Sequence, residues 1–264
     1  MKDLNNKTVW ITGASDGIGK ELAIQLAELG AKIILTARST DKLNAVKNSL
    51  KGTGHIVYPM DLLKVAEISK GVTEVLSQAG IIDVLINNAG ISQRSLAKDT
   101  TLAVDRKIME IDYFAVVALT KGVLPQMLAR KSGHIVSISS VAGKFGAPMR
   151  TAYCGAKHAV IGFMDSLRAE LHKDNIKVLN VTPGSIKTNI SKNALEGDGK
   201  KHNVTDPLIA NGLPVEYCVK KIIKGIQNDT SELLIADSKT SMAVYLRRFF
   251  PNQLFKLMAN IQST

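Results

Sequence analysis

Residues 8–19 read Thr-Val-Trp-Ile-Thr-Gly-Ala-Ser-Asp-Gly-Ile-Gly, and this stretch decides the fold. Its first five residues form a short run rich in β-branched side chains, which is typical of a buried strand. A glycine-rich turn follows, and the amphipathic pattern of residues 18–29 ends at Gly30, as expected of a helix with a glycine stop. Such a turn lets the backbone approach a phosphate, and the helix directs free N–H groups at it. The stretch therefore predicts a strand, a phosphate-binding turn and a helix.

The alternation of strand and helix continues along the chain. Parallel strands joined by helices of this length form right-handed crossovers. We therefore predict one α/β domain over 1–264, with a doubly wound parallel sheet (Rossmann fold) in three α/β/α layers. Thr40 or Asp41 is expected to cap the second helix, and Pro125 to kink or end the helix that contains it. The predicted strands cover 8–12, 32–36, 55–58, 84–87, 134–139, 177–181 and 231–236, and the further helices cover 41–50, 65–78, 102–127, 151–172 and 215–227.

Composition limits the classes of function. The formal net charge of +11 attracts phosphates, anionic cofactors, nucleic acids or acidic membranes. The sequence has neither zinc-finger nor helix-turn-helix spacing, so nucleic-acid binding is not expected. The chain has only two cysteines, no signal region and no run of about 18 apolar residues, so we expect a cytoplasmic protein. The five histidines show no metal-ligand spacing, and no metal is predicted.

The glycine spacing of the first turn is G-x-x-x-G-x-G, which differs from the usual G-x-G-x-x-G. It resembles the TGxxxGIG motif of the short-chain dehydrogenase/reductase family, and further motifs of that family occur in the same order over residues 5–236. The resemblance implies a nicotinamide cofactor bound at the ends of several strands. The residues that it assigns to this cofactor are Gly13, Ser15, Asp16, Gly17, Ile18, Gly19, Asp61, Leu62, Asn88, Ala89, Gly90, Tyr153, Lys157, Pro183, Gly184, Ile186 and Thr188.

The end of the second predicted strand indicates which nicotinamide cofactor is used. Enzymes that use NAD(H) usually carry a carboxylate there, which binds the ribose 2′-hydroxyl. This sequence has Arg38 and Ser39 instead, and a guanidinium can bind a 2′-phosphate through several donors. Asp16 in the glycine-rich turn argues the other way, because its carboxylate would repel that phosphate. We expect NADP(H) as the cofactor, with NAD(H) as the alternative.

Tyr153 and Lys157 are four residues apart in a predicted helix and therefore share one face. A free tyrosine has a pKa of about 10. A neighbouring ammonium lowers that pKa and lets the phenol exchange a proton with a carbonyl or alcohol oxygen. Family members carry a substrate-orienting serine thirteen residues before the tyrosine, which implies this role for Ser140. Ser139 is expected to bond to the backbone instead.

The fourth catalytic position of the family is an asparagine, but this sequence has Asp112. In the family, the asparagine holds a water that links to the lysine. An aspartate accepts hydrogen bonds but donates no amide hydrogen, and an ionised Asp112 close to Lys157 would pair with it. We expect that Asp112→Asn keeps or raises activity.

These residues predict a reductase that interconverts a ketone or aldehyde and an alcohol, acting on a small or lipophilic substrate. An NAD-dependent alcohol dehydrogenase is the first alternative. A non-catalytic cofactor-sensing protein is the second, which the presence of both Tyr153 and Lys157 disfavours. The family resemblance also implies a homodimer or homotetramer.

Two segments are expected to shape the substrate site. Residues 185–213 are polar and contain glycine, which is typical of a substrate lid. Residues 239–264 form a basic, amphipathic tail. Packing of this tail on the domain or on a second copy is the first expectation, while contact with a membrane surface or closure of an apolar pocket are alternatives. Gln93 and Asn189 are candidate substrate contacts.

Overall fold

One parallel sheet forms the centre of the protein. The computed structural model describes residues 1–260, so the last four residues of the predicted tail lie outside the described range. Within that range, seven strands pair in parallel in the order β3-β2-β1-β4-β5-β6-β7. They are β1 (Thr8–Thr12), β2 (Lys32–Thr36), β3 (Ile56–Val57), β4 (Val84–Asn87), β5 (Gly133–Ile138), β6 (Ile176–Pro183) and β7 (Glu232–Ile235).

Helices cover both faces of this sheet. One apolar core lies between the sheet and α1, α2 and α8, and a second lies between the opposite face and α3, α5 and α6. The predicted three-layer α/β/α fold with a doubly wound parallel sheet is confirmed. The helices are α1 (Gly17–Glu28), α2 (Thr40–Ser49), α3 (Val65–Ala79), α4 (Leu102–Met109), α5 (Ala115–Arg130), α6 (Thr151–Glu170), α7 (Pro207–Ala210), α8 (Val215–Gln227), α9 (Ser238–Phe249) and α10 (Pro251–Ala259).

The strand order reverses direction at β1, which pairs with β2 on one side and with β4 on the other. In open α/β sheets, the loops that leave two such strands diverge to opposite faces and open a cleft at their carboxyl ends. The glycine-rich turn follows β1 and the Asn88-Ala89-Gly90 turn follows β4. The fold therefore places both motifs at the edge of one cleft.

The long helix predicted over 102–127 differs from the observed structure. It consists of α4 and α5, joined by a π-helical segment, Glu110–Phe114. Pro125 lies inside α5 and does not end it. Val123 and Met127 on either side are fully buried, so packing against the sheet outweighs the hydrogen bond that proline removes.

The predicted lid and tail differ in their regular structure. Residues 185–213 contain only the short helix α7, whereas the tail forms α9 and α10. Leu254 is the buried residue of α10, and every described residue of α9 is at least partly exposed. Across residues 1–260, no helix combines the length and the apolar character that crossing a membrane requires.

Candidate functional site

The glycine-rich turn lies directly against the end of β4. Gly13 has a φ of 66°, and a Cβ atom there would lie 2.8 Å from the Cα of Ala89. The hydroxyl oxygen of Thr12 accepts hydrogen bonds from the N–H groups of Asn88 and Ala89, both at 3.1 Å. Only a residue without a side chain fits at Gly13, and this contact brings the two motifs together.

Asp16 caps the helix that follows the turn. Its Oδ1 accepts a hydrogen bond from the N–H of Gly17 at 2.8 Å, and its Oδ2 accepts one from Asn189 Nδ2 at 2.8 Å. Asn189, a predicted substrate contact, thus lies on the cofactor side of the cleft. A cavity of about 440 Å³ at the N-terminus of α1 is bordered by Asp16, Gly17, Lys20, Glu21, Lys187, Thr188, Asn189, Thr205, Ile209, Ala210 and Val215.

This cavity has the donors that a pyrophosphate requires. The N-terminus of α1, where a helix leaves N–H groups free, borders it at Gly17. Lys20 and Lys187 add positive charge at its border, and Asp16 and Glu21 add negative charge. Ser15 and Ile18 lie half-buried in the same turn, and Gly19 is buried. The residues present therefore fit a dinucleotide, and this turn is where its phosphates would bind.

Residues predicted to bind the adenosine end lie after β2 and β3. The N–H of Met60 donates to the carbonyl of Ala37, which brings the segment before Asp61 beside the end of β2. Arg38 is exposed there. The hydroxyl of Ser39 accepts a hydrogen bond from the N–H of Lys42 at 3.4 Å, so Ser39 caps α2. The prediction of Thr40 or Asp41 as that cap was wrong, because the helix begins one residue earlier.

Asp61 and Leu62 have unequal surroundings. Asp61 Oδ1 accepts a hydrogen bond from the N–H of Leu63 at 3.1 Å, whereas Leu62 is buried and packs in the core. The Asp61 carboxylate therefore lies in the turn after β3, where the resemblance implies adenosine binding. Leu62 packs in the core beneath this turn.

The segment after β6 crosses toward the glycine-rich turn. A Cβ atom at Gly184 would lie 2.9 Å from Ala236 Cβ, so this glycine allows close packing where β6 ends with Pro183. Ile186 is buried, and a Cβ atom at Gly17 would lie 3.2 Å from Thr188 Cγ2. Thr188 thus borders the cavity at α1.

Tyr153, Lys157 and Ser140 come together at the carboxyl end of β5. The first two lie on α6, with Lys157 Nζ 5.5 Å from the centre of the Tyr153 ring. Ser140 Oγ accepts a hydrogen bond from the N–H of Ala142 at 3.1 Å. Ser139 Oγ donates to the carbonyl of Lys157 at 3.2 Å, which matches the expected bond to the backbone. A side-chain hydrogen bond joins Ser140 to Tyr153, so Ser140 is the serine that faces the phenol.

The pKa of Tyr153 is raised, because burial disfavours the phenolate. The ammonium of Lys157 and the hydrogen bond with Ser140 act in the opposite direction, and the charge of Asp112 adds to the increase. The sequence-based expectation named only the lowering by Lys157. At neutral pH the phenol therefore holds its proton and can donate it to a carbonyl oxygen.

Asp112 contacts Lys157 directly. Its Oδ2 lies 3.2 Å from Lys157 Nζ, and its Oδ1 accepts a hydrogen bond from the N–H of Ile91 at 2.8 Å. Burial lowers the pKa of Lys157, but the charges of Asp112 and Tyr153 outweigh it, and the net direction is upward. Lys157 is therefore an ammonium. The ion pair between Asp112 and Lys157, which the sequence analysis gave as one possibility, is present in the structure.

Gln93, the other predicted substrate contact, has a structural role. Its side chain is fully buried, donates to Thr100 Oγ1 at 2.9 Å and accepts from the N–H of Ala152 at 2.9 Å. These bonds connect the segment after β4 to the start of α6. Gln93 is thus unavailable to a substrate, because its amide is already bonded inside the protein.

Sequence reasoning missed a charged cluster beside the site. Asp206 Oδ2 accepts hydrogen bonds from Arg94 at 3.1 Å and from Arg150 at 2.8 Å. Arg94 lies after β4 and Arg150 before α6, so the carboxylate fastens residues 185–213 to both. No local pattern marks these three residues, because they are far apart in the sequence. Among the described residues, no group of three or more His, Cys, Asp or Glu side chains could hold a metal ion.

Comparison with known proteins agrees with this geometry. A family model described as short chain dehydrogenase matches residues 7–199. Dehydrogenase/reductase SDR family member 7B of Mus musculus is 41% identical over 263 residues, covering 97% of this chain and 81% of the relative.

Two solved structures share the fold. A short-chain dehydrogenase/reductase from Burkholderia phymatum, in complex with NAD, has a TM-score of 0.83 at 20% identity and covers 96% of each chain. A short chain dehydrogenase from Burkholderia cenocepacia, in complex with NADP, has a TM-score of 0.80 at 21% identity and covers 97% of this chain and 98% of its own. With a matching family model and a relative at 41% identity, the chain belongs to the short-chain dehydrogenase/reductase family of oxidoreductases.

Proposed function

We propose that this protein is an NADP(H)-dependent reductase that converts a ketone or aldehyde to an alcohol. The observation that carries the proposal is the placement of Tyr153 beside Lys157 and Ser140 at the carboxyl end of β5. When bound, the nicotinamide supplies a hydride to the carbonyl carbon. Tyr153 gives its proton to the carbonyl oxygen, and the Ser140 hydroxyl donates a hydrogen bond to the same oxygen as charge develops.

The preference for NADP(H) rests on the end of β2. Structures of the same fold hold NAD in one case and NADP in the other, so the fold allows both. Arg38 is exposed at this end and able to meet a 2′-phosphate. The carboxylate of Asp16 is engaged by Gly17 and Asn189, which reduces its repulsion of that phosphate. NAD(H) remains the alternative cofactor.

A lipophilic substrate is supported by an apolar cavity of about 500 Å³ that is bordered by the start of α6 and by α10. Cys154, the neighbour of Tyr153, lines it together with the loop before α6 and residues of α10. Phe255 and Met258 of α10 border this cavity, which supports a contribution of the C-terminal tail to substrate binding. The residues that line the cavity are Gly146, Ala147, Pro148, Thr151, Cys154, Phe255, Met258 and Ala259.

The outer face of the tail supports contact with an anionic membrane surface. Tyr245 and Phe249 are about two-thirds exposed, at 63% and 67%, beside the basic residues Arg247 and Arg248. Exposed aromatic and basic side chains on one helix suit the lipid–water boundary. Sedimentation with phosphatidylserine vesicles tests this contact, and equal recovery with neutral vesicles would contradict it.

A homodimer or homotetramer remains a prediction from the family resemblance. Phe114 is 45% exposed at the start of α5, which leaves an aromatic side chain available to a second copy. Light scattering at micromolar concentration tests the assembly, and the mass of a single chain would contradict it.

The decisive experiment for the function is Tyr153→Phe, which removes the proton donor and keeps the ring. We expect NADPH oxidation with a panel of carbonyl compounds to fall by about 10²–10⁴-fold. NADPH binding, measured by fluorescence titration, should change little. Retained turnover would contradict the proposal. A wild-type protein that binds the cofactor but reduces no carbonyl compound and oxidises no alcohol would instead support the non-catalytic alternative.

A further inference from the structure

Asp112 is surrounded by hydrogen-bond donors. Its Oδ1 accepts from the N–H of Ile91, and its Oδ2 faces the ammonium of Lys157. A protonated carboxyl needs an acceptor for its own hydrogen, and neither contact provides one. The side chain is completely buried, and a buried charge persists only when it is paired. Burial raises the pKa of Asp112, and the Lys157 ammonium and the Ile91 N–H act against that rise. Because donors face both carboxyl oxygens, Asp112 and Lys157 form a buried pair of a carboxylate and an ammonium.

The surrounding backbone fixes the position of this pair. The π-helical segment Glu110–Phe114 presents Asp112 toward α6. A Cβ atom at Gly90 would lie 3.0 Å from Asp112 Oδ2 and 3.1 Å from Lys157 Nζ. The nitrogen also donates to the carbonyl of Ile138 at 3.3 Å. Asp112 Oδ2 and the Ile138 carbonyl thus both contact the ammonium, and Gly90 lies close beside it. These neighbours set its distance from the Tyr153 ring.

Several charged groups from different elements act on the Tyr153 phenol. Lys157 on α6 stabilises the phenolate, and Asp112 from the π-helical segment destabilises it. Arg94, from the segment after β4, is close enough to interact with the phenol but is paired with Asp206. The thiol of Cys154 is neutral, because burial raises its pKa. Asp112 is therefore the group that offsets Lys157.

We propose that Asp112 is a positioning residue that holds Lys157 and offsets the effect of its positive charge on the Tyr153 phenol, so that the site donates protons more readily than it accepts them. An asparagine at this position would hold the lysine without a charge, leaving the ammonium unopposed. Tyr153 would then lose its proton at lower pH. This inference rests on the proposed function and deepens it, because it names the carboxylate that tunes the proton donor of that site.

A titration of Tyr153 tests this role without any substrate. The chain has five tyrosines, so labelling with ¹³Cζ-tyrosine gives a simple NMR spectrum, and Tyr153→Phe identifies the signal. In Asp112→Asn, the pH at which the Tyr153 signal titrates should fall by about one unit or more relative to the wild type. Glu110→Gln, which removes a charge from the same segment, should leave it in place. An unchanged or higher midpoint in Asp112→Asn would overturn the inference.

Kinetics provide the second readout, with 2-octanone and 2-octanol as probes. In Asp112→Asn, the rising limb of kcat/KM for alcohol oxidation should move to lower pH, while reduction at pH 7 stays within about tenfold of the wild type. A hundredfold loss in both directions would overturn the positioning role, because the carboxylate would then act directly. If the titration shifts but the wild-type protein turns over no substrate, the proposed function fails and the positioning role stands.

Discussion

The carboxyl edge of β1 and β4 and the C-terminal helices α9 and α10 are built in opposite ways. At the edge, Thr12 is 1% exposed and its hydroxyl binds two backbone N–H groups of the neighbouring turn. In the tail, the described part of α9 has no buried residue, and Leu254 anchors α10. The structure of the edge depends on backbone contacts that tolerate few residue types. The tail, in contrast, depends on one buried side chain, Leu254, for its packing on the domain. The chemistry of the edge is therefore readable from the sequence, and the role of the tail is not.

The largest effect should separate two adjacent serines at the edge. Ser140→Ala removes the hydroxyl that faces Tyr153, and we expect kcat to fall by about 10²–10³-fold. Ser139→Ala is the matched control, because its hydroxyl bonds only to the carbonyl of Lys157. That variant should lose about 1 kcal/mol of unfolding free energy and keep kcat within a few-fold. Steady-state kinetics and thermal denaturation measure both effects. Equal losses of kcat in the two variants would contradict the different roles assigned to Ser140 and Ser139.

An intermediate effect is expected at Arg38, which lies at the edge but is exposed. Arg38→Gln removes a charge-assisted contact worth about 1.5–3 kcal/mol, so kcat/KM for NADPH should fall by about 10–100-fold. The value for NADH should stay unchanged, since its ribose carries no 2′-phosphate. Kinetics with both cofactors measure this. A parallel decrease for the two cofactors would remove the basis for the NADP(H) preference.

The smallest effect on turnover should come from the tail. Leu254 is 2% exposed and Leu257 is 57% exposed, so the pair compares an anchor with a surface residue on one helix. Leu254→Ala should cost about 2–5 kcal/mol of local packing and loosen α10, which hydrogen exchange detects. We expect the KM for 2-octanone to rise a few-fold while that for acetone is unchanged. Leu257→Ala should alter neither KM value. A similar rise of the KM for 2-octanone in both variants would contradict a role of the tail in substrate binding.

Much of the fold and of the cofactor cleft could be predicted from the sequence. The strand, turn and helix at 8–29 depend on local features: β-branched residues, glycines that permit close approach, and an amphipathic period. The Tyr153 and Lys157 pair was predictable for the same reason, because four residues on a helix span one turn. At these places, the local sequence alone determines which structure forms, so the prediction needed no knowledge of distant contacts.

Other features depend on contacts between distant parts of the chain. Gln93 was predicted to contact the substrate, but its amide oxygen accepts a hydrogen bond from the N–H of Ala152 on α6. Asn189 binds Asp16, which is 173 residues away. The raised pKa of Tyr153 comes mainly from burial, which no short motif reports. The division of the helix at 110–114 was also missed, since a π-helical segment keeps the apolar pattern of its neighbours.

That π-helical segment has a consequence for how insertions and deletions would act on this enzyme. A π turn holds about one residue more than an α turn, so removing a single residue from 110–114 would restore a continuous α-helix. The whole of α4 would then rotate by about 100° relative to α5. Asp112, which now faces Lys157, would no longer point at the lysine. The chain length of one helix, and not only the identity of its residues, thus controls whether a carboxylate reaches the lysine beside the proton donor.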